Sequence, residues 1–391
     1  MKVLYCNPVV LDYRIPFYKR LVELFDGGFY FLYSVNRYKL KGREDLLAKI
    51  KEELQEHVIP YKKELLFNTY TKSFKVYSSE YGKRIPIAIG LFTMIRKAKP
   101  DVVITEGFFQ WTPIILLYSL LYRKPVFIGY ERTTWTERNT KRWKTWHRKL
   151  TDKFVCGYLV NGSETKKYLM SIGVKEEKIH IGGMSADSEG LVKGIASMTE
   201  DEIKTMKSKY QRNNGLVYLF SGQIVERKGV KYLLQAWMEH IKRHKDDCLV
   251  LVGCGDQLEA LQEEYMNVDS IHFEGKVHYS DMYKYYAIAD VFVLPTIEDN
   301  WSLVIPEAMA CGLPVATSIY NGCHPELVKK DVNGFVFDTY KEETIIEALD
   351  YFHHVDLKKF GQQSLELEKN FNTENSARRE YEGIMKGLAK G

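Results

Sequence analysis

Short runs of β-branched and aromatic residues recur along this chain, each followed by a stretch with the length and apolar spacing of a helix. Strand-like runs stand at 3–5, 29–33, 101–105, 125–130 and 154–161. Helical patterns lie between them at 17–24, 85–98 and 113–122, and another runs to Ile172 from Ser163, which caps it. The alternation restarts at 216–222, and further strand-like runs follow at 248–252, 271–273 and 291–295. Strands that alternate with helices call for parallel sheets covered on both faces. The polar stretch 185–214 divides the pattern and reads as a linker plus the first helix of a second block. The 391 residues suffice for two domains of ordinary size. The expected division is 1–185, 186–370, and a closing segment 371–391 that carries a capped helix at 373–388.

Hydrophobic residues make up 45% of the chain, enough for packed cores and against disorder. The net charge of +5 conceals an asymmetry. Residues 1–185 hold 33 Lys and Arg against 18 Asp and Glu, a net of +15, and the remainder carries −10. A basic half points to an anionic partner. Its patches are Lys83 with Arg84; Arg96, Lys97 and Lys99; and 141–149, where Trp143 and Trp146 are interleaved with Lys141, Arg142, Lys144, Arg148 and Lys149. Basic and aromatic residues mixed on one helix suit an anionic membrane surface. No nucleic-acid signature accompanies them, so nucleic acid is not an expected partner. The amino-terminal apolar run is too short for a signal peptide, and the run 113–122 is about half a membrane span. The expected location is cytoplasmic, with peripheral attachment to the membrane face. The six cysteines form no C-x-x-C pair and read as free thiols.

Candidate chemistry concentrates after the run Val291, Phe292, Val293, Leu294, Pro295. Asp299 and Glu307 stand eight positions apart, with Glu298 beside the first. Ala308, Met309, Ala310, Cys311 and Gly312 then read as a helix closed by glycine, followed by a new strand. The acids therefore lie at the carboxyl end of a strand, where open α/β sheets bind ligands. Backbone N–H groups at a helix start hold phosphate oxygens, and carboxylates accept hydrogen bonds from sugar hydroxyls. That combination suits a nucleotide-sugar.

This stretch resembles the Glu-x7-Glu signature of the retaining glycosyltransferases of family four, with Asp299 in place of the first Glu. Gly222, Gln223 and Ile224, then Lys228 and Gly229, resemble the family's Gly-Arg-Leu and Lys-Gly pattern, with Gln223 where the family has Arg. Gly253, Cys254, Gly255 resembles its Gly-x-Gly turn, and Phe273 to Val277 its nucleobase segment. The resemblance is strong over 216–338 and weaker before. It implies the GT-B fold, two doubly wound Rossmann-like domains facing across a cleft, with the terminal helix crossing back to the first domain. It further implies sugar transfer from a UDP or GDP donor with retention of configuration, to a glycan or lipid-diphosphate-linked acceptor in cell-surface polysaccharide synthesis.

By the same resemblance Glu307 holds the ribose, and Asp299, aided by Glu298, positions the sugar. The diphosphate falls to Lys228, Arg227 (which can supply the charge missing at Gln223), Gly222 and the N–H groups of Asn300, Trp301, Ser302 and Leu303. The base falls to Gly275, Lys276 and Val277. Glu131 stands where the family carries a histidine near the donor sugar, and pairing with Arg132 is the alternative for it. Arg14, Glu106, Arg132 and Arg138 are acceptor-side candidates. No Asp-x-Asp and no His/Cys cluster at metal spacing is present in the sequence, so neither metal nor cofactor is expected; cations and N–H dipoles would stabilise the leaving group instead. The other readings are a nucleotide-sugar epimerase or hydrolase on the same fold, and a non-catalytic nucleotide-sugar-binding protein.

Overall fold

The computed structural model describes residues 1–10, 12–39, 44–68, 84–185 and 188–389. Lys83 lies outside them, as does the side chain of Arg84, so that basic patch is not placed. The chain divides into two units; the first runs to Ser185 and includes the helix Thr373–Ala389, and the second holds the residues between.

In the first unit, β1 (Val3–Cys6), β2 (Phe29–Ser34) and β3 (Val58–Tyr61) precede a two-stranded antiparallel ribbon, β4 (Glu64–Asn68) and β5 (Arg84–Ala88). β6 (Val102–Glu106), β7 (Val126–Tyr130), β8 (Gly157–Val160) and β9 (Ile179–Ile181) follow. The large sheet is ordered β3-β2-β1-β6-β7-β8-β9, and every pairing is parallel. Alternate residues of β1 serve opposite cores. Leu4 and Cys6 pack with Val103, Val126 and Ile128 on one face, while Val3 and Tyr5 pack with Phe29, Phe31 and Ile104 on the other. Two faces to bury is the reason these strands read as continuous apolar runs. The terminal helix packs on this second face through Gly383 and Gly387. A Cβ there would stand 2.7 Å from His180 Cβ and 2.5 Å from the Phe127 ring, respectively.

The second unit carries β10 (Val217–Ser221), β11 (Cys248–Val252), β12 (Ile271–Gly275), β13 (Val291–Leu294), β14 (Val315–Ser318) and β15 (Gly334–Phe337). Their order is β12-β11-β10-β13-β14-β15, again all parallel. Both sheets are thus doubly wound. The strand order reverses between β1 and β6 in one and between β10 and β13 in the other, which leaves a crevice at each carboxyl edge.

Two sequence expectations are corrected. The helix read at 85–98 is in fact strand β5 followed by a helix at Leu91–Ala98. Pro86 does not suit a helix interior, and Gly90, at φ 77°, turns the chain between the two elements. The stretch 185–214 carries two helices, Glu189–Ala196 and Glu200–Lys207, where one was expected. The second opens on a capping box between Thr199 and Glu202. Among the described residues, no helix is long and apolar enough to cross a membrane.

Candidate active site

Three glycines build the floor of the crevice in the second unit. Gly222, Gly253 and Gly275 end the adjacent strands β10, β11 and β12, and are linked by Gly222 N–H to Val252 O at 3.0 Å and Gly253 N–H to Gly275 O at 2.8 Å. A Cβ on Gly253, at φ 148°, would lie 1.7 Å from Gly222 O, so no other residue fits without moving the loop. After Gly222 the chain turns through 226–228 and enters the helix Val230–His240 at Gly229, where φ is 68° and a Cβ would stand 2.0 Å from Pro295 O. This close approach seats the β10 loop against the β13 loop.

The switch point joins two motifs that stand about seventy positions apart in sequence. The Arg227 carbonyl accepts from Ile297 N–H at 2.9 Å and Thr296 Oγ1 at 2.8 Å. Lys228 Nζ donates to Asp299 Oδ2 at 2.6 Å, and Arg227 Nη1 reaches the same oxygen at 3.4 Å. Asp299 Oδ1 accepts from Trp301 N–H at 3.2 Å, and its main chain bridges to Asn321 after β14. Burial alone would raise the Asp299 pKa; the Lys228 ammonium, with help from Arg227, reverses this and holds it below the ordinary carboxylate range. Gln223 is exposed, and its Oε1 accepts from Arg227 Nη2 at 3.3 Å. The neutral residue at that position is thus tied to the neighbouring cation.

Glu307 lies in the first turn of the short helix Val304–Ala310. Tyr279 Oη donates to its Oε1 at 3.1 Å and Tyr286 Oη to its Oε2 at 3.0 Å. Burial, then the Glu307 charge, pushes the Tyr286 phenol well above its usual value, so it remains a donor. Sequence reasoning gave no role to either tyrosine, although both lie within the stretch 216–338 that resembles the family. Trp301 and Ser302 are buried, Glu298, Asn300 and Leu303 half-buried, and Ser302 N–H donates to Asn321 Oδ1 at 3.4 Å. Lys276 is exposed and Val277 half-buried, just past Gly275.

The first unit has its own cluster at its own switch point. Arg14, after β1, lies 3.8 Å from Glu106 at the end of β6 and 3.6 Å from Glu131 after β7. Tyr5 Oη donates to Glu106. Glu380, from the terminal helix, completes a small concavity of about 20 Å³, room for about one water, with these residues and Asn161, whose buried Nδ2 has no partner among the described residues. Burial, then the charges of Glu131 and Glu380, drives the Glu106 pKa well up. Burial also lifts Glu380, to about 7. Neither Tyr5 nor Glu380 was singled out from sequence; Glu380 lies on a helix more than two hundred positions from the strands it meets.

Arg132 and Arg138 do not join this cluster. Arg132 Nε lies 3.4 Å from Glu137, so the expected Arg132–Glu131 alternative gives way to Arg14–Glu131. Arg138 donates to Trp135 O at 2.6 Å and lies over its ring. Arg148 is also displaced from the basic surface assigned to it: it is buried and donates to Glu137 at 2.9 Å. Arg142, Trp143, Trp146 and Lys149 of its helix, Arg142–Asp152, stay exposed, Trp146 at 67%. Leu120, Leu121 and Tyr122 of the helix Thr112–Tyr122 are also exposed.

Residues 186–370 match the family model described as glycosyl transferases group 1. The chain is 33% identical over 138 residues to an uncharacterized glycosyltransferase of Methanocaldococcus jannaschii, covering 34% of this chain and 35% of that protein. It is 30% identical over 163 residues to the GDP-mannose-dependent monoacylated alpha-(1-6)-phosphatidylinositol monomannoside mannosyltransferase of Corynebacterium glutamicum, covering 39% and 42%. The chain therefore spans well under half the length of these two relatives. Among solved structures, Anabaena HepE in complex with UDP matches over 100% of both chains, with a TM-score of 0.75 and 14% identity, a likeness of fold alone.

Proposed function

We propose that this chain, whose residues 186–370 match the family model described as glycosyl transferases group 1, is a retaining, metal-independent glycosyltransferase using a nucleotide-sugar donor. The observation that carries this reading is the meeting of Lys228, Arg227 and Asp299 at the β10/β13 switch point, with Glu307 held by two tyrosines in the same unit. Glu307, its oxygens oriented by Tyr279 and Tyr286, accepts hydrogen bonds from the ribose hydroxyls. Lys228 and Arg227, with the N–H groups of 300–303, neutralise the charge that grows on the departing diphosphate. Asp299 positions that ammonium and, with Glu298, the sugar. Gly275, Lys276 and Val277 line the base.

The acceptor is a glycan or a lipid-linked glycan of the cell surface. Arg14, Glu106 and Glu131 recognise it at the carboxyl edge of the first unit's sheet, with Glu131 accepting from a sugar hydroxyl. The mannosyltransferase relative, whose name specifies a phosphatidylinositol-linked acceptor, supports a lipid-linked class. So does the exposed Trp143 and Trp146 among Lys141, Arg142, Lys144 and Lys149, which suits peripheral attachment to an anionic membrane face from the cytoplasm.

The test is a thermal-shift panel of UDP-, GDP-, ADP- and dTDP-sugars on wild type and Glu307→Ala, followed by NMR of the transfer product. A shift for one nucleotide class, lost in Glu307→Ala, and a product that keeps the donor's anomeric configuration are expected. No shift with any donor would overturn the enzyme reading. Donor consumption at full rate without acceptor would replace transfer by hydrolysis. Sedimentation with anionic vesicles tests attachment, and protein left in the supernatant at low salt would refute it.

A further inference from the structure

At the amino-terminal ends of β10 and β11, opposite the loops just described, three histidines and two aspartates converge. Asp247 immediately precedes β11, and its Oδ1 accepts from the Leu216 N–H at 2.7 Å. Its Oδ2 lies 2.8 Å from His240 Nε2 and 2.7 Å from His353 Nε2. His240 and Asp247 are buried, and His353 is partly open to solvent. The other nitrogen of His240, Nδ1, lies 2.7 Å from Asp350 Oδ1, and Asp350 Oδ2 is held by Arg243 Nη2 at 2.5 Å. The ring of His244, one helical turn beyond His240, stacks on that of His353 with centroids 3.7 Å apart.

Two arrangements satisfy these contacts: a doubly protonated His240 that donates to both aspartates, or a bound cation, to which the convergence of a third donor atom, His353 Nε2, points. A neutral imidazole has one N–H, yet His240 meets a carboxylate oxygen at each nitrogen. If Nδ1–H donates to Asp350, the Nε2 lone pair faces the Asp247 oxygen with nothing between them. A cation bound by that lone pair, by Asp247 Oδ2 and by His353 Nε2 removes the conflict. The single N–H of His240 then goes to Asp350, the carboxylate–histidine–metal relay that fixes a ligand's tautomer. The Leu216 N–H orients Asp247 in the same way. Bonds of about 2.0–2.1 Å to N and O in tetrahedral geometry require the donor atoms to spread by only about half an ångström.

We infer that His240, Asp247 and His353 bind a divalent first-row transition-metal ion of the Zn²⁺ type, with Asp350 as the positioning residue for His240. Two imidazoles and one carboxylate favour Zn²⁺, Co²⁺ or Ni²⁺ over Mg²⁺ or Ca²⁺. The ion staples the end of the helix Val230–His240 and the turn after the helix Glu342–Tyr351 to the starts of two central strands. It stands at the opposite end of β10 from Lys228, so its role is structural. The sequence reading expects no metal; that expectation rests on local spacing, and His353 lies more than a hundred positions from its partners.

The test uses the full chain, stripped with a chelator and titrated with Zn²⁺ alone by calorimetry. Bound metal is counted after gel filtration, and Co²⁺ serves as a spectroscopic substitute. One ion per chain, the visible bands of four-coordinate Co²⁺ and a higher melting temperature are expected. Affinity should fall at least tenfold in His353→Ala and about 10–100-fold in Asp350→Asn, which leaves every ligand in place, but hold in His278→Ala, an exposed histidine elsewhere. No ion retained by folded wild type overturns the inference. Equal affinity in wild type and Asp350→Asn also overturns it, and that variant with the Co²⁺ spectrum decides the matter if His353→Ala does not fold.

Discussion

Replacing Lys228 by Met should reverse the way Asp299 affects stability with pH. In the wild type two opposing terms act on that carboxyl: burial raises its pKa, and the Lys228 ammonium at 2.6 Å, with Arg227 at 3.4 Å, brings it below the reference value of 3.8. A depressed folded-state pKa means the ionised carboxylate stabilises the fold. That contribution is fully present above the unfolded pKa and is lost as pH falls through the folded one. Without Lys228 the burial term prevails. The folded pKa then lies above 3.8, and stability instead declines as pH rises through it.

The size of the effect follows from the geometry. Breaking a buried ion pair costs about 3–5 kcal/mol. Here the two side chains are 9% and 14% exposed, and the more exposed Arg227 remains as a weaker partner, so a coupling of about 2 kcal/mol is the reasoned figure. Urea unfolding of wild type, Lys228→Met, Asp299→Asn and the double variant, followed by tryptophan fluorescence at pH about 3 and about 8, on either side of the reference carboxyl pKa, completes the cycle. The double variant should lose about 2 kcal/mol less than the sum of the singles at the higher pH. Additive losses, or an Asp299 contribution (each protein minus its Asp299→Asn counterpart) whose pH trend keeps its sign in Lys228→Met, would refute the account of Asp299.

Glu380 should act in the opposite sense. Its folded pKa of about 7 exceeds the reference 4.5, so stability should fall by up to about 3 kcal/mol as pH rises across that window. Glu380→Gln should remove that slope, and parallel wild-type and variant profiles would count against it. Tyr286→Phe deletes a hydrogen bond to a carboxylate and should cost about 2 kcal/mol in urea unfolding; it should also weaken nucleotide binding about tenfold, and an unchanged Kd would detach Tyr286 from the site. Gly253→Ala forces a Cβ to within 1.7 Å of a carbonyl oxygen and should lower stability by about 3 kcal/mol, which an unmoved urea midpoint would contradict.

Much of this molecule was legible along the chain because parallel α/β architecture is written locally. The central strands bury two faces and so appear as apolar runs, and the helices between them return within a few turns. The ligand loops follow the strands directly. Thus Gly222, Lys228, Asp299 and Glu307 could be placed on strand-to-helix turns without knowing which strands are neighbours. Gly383 and Gly387 lie in a segment read as a helix, but only the close approach of His180 and Phe127 explains why glycine stands there.

Where the sequence misled, a local pattern met a distant partner. Arg148 sits in a basic run, yet Glu137 draws it inward. Residues 85–88 show helical spacing, yet β4 claims them as a strand. What tertiary structure alone decided is the pairing of side chains at strand ends: Lys228 with Asp299, Tyr279 and Tyr286 with Glu307, Glu380 with Glu106 and Glu131, and His353 with Asp247. A periodic pattern encodes which face of an element is buried. It does not encode which loops meet when the strand order reverses, because that depends on sheet order, and sheet order is settled only as the whole core closes.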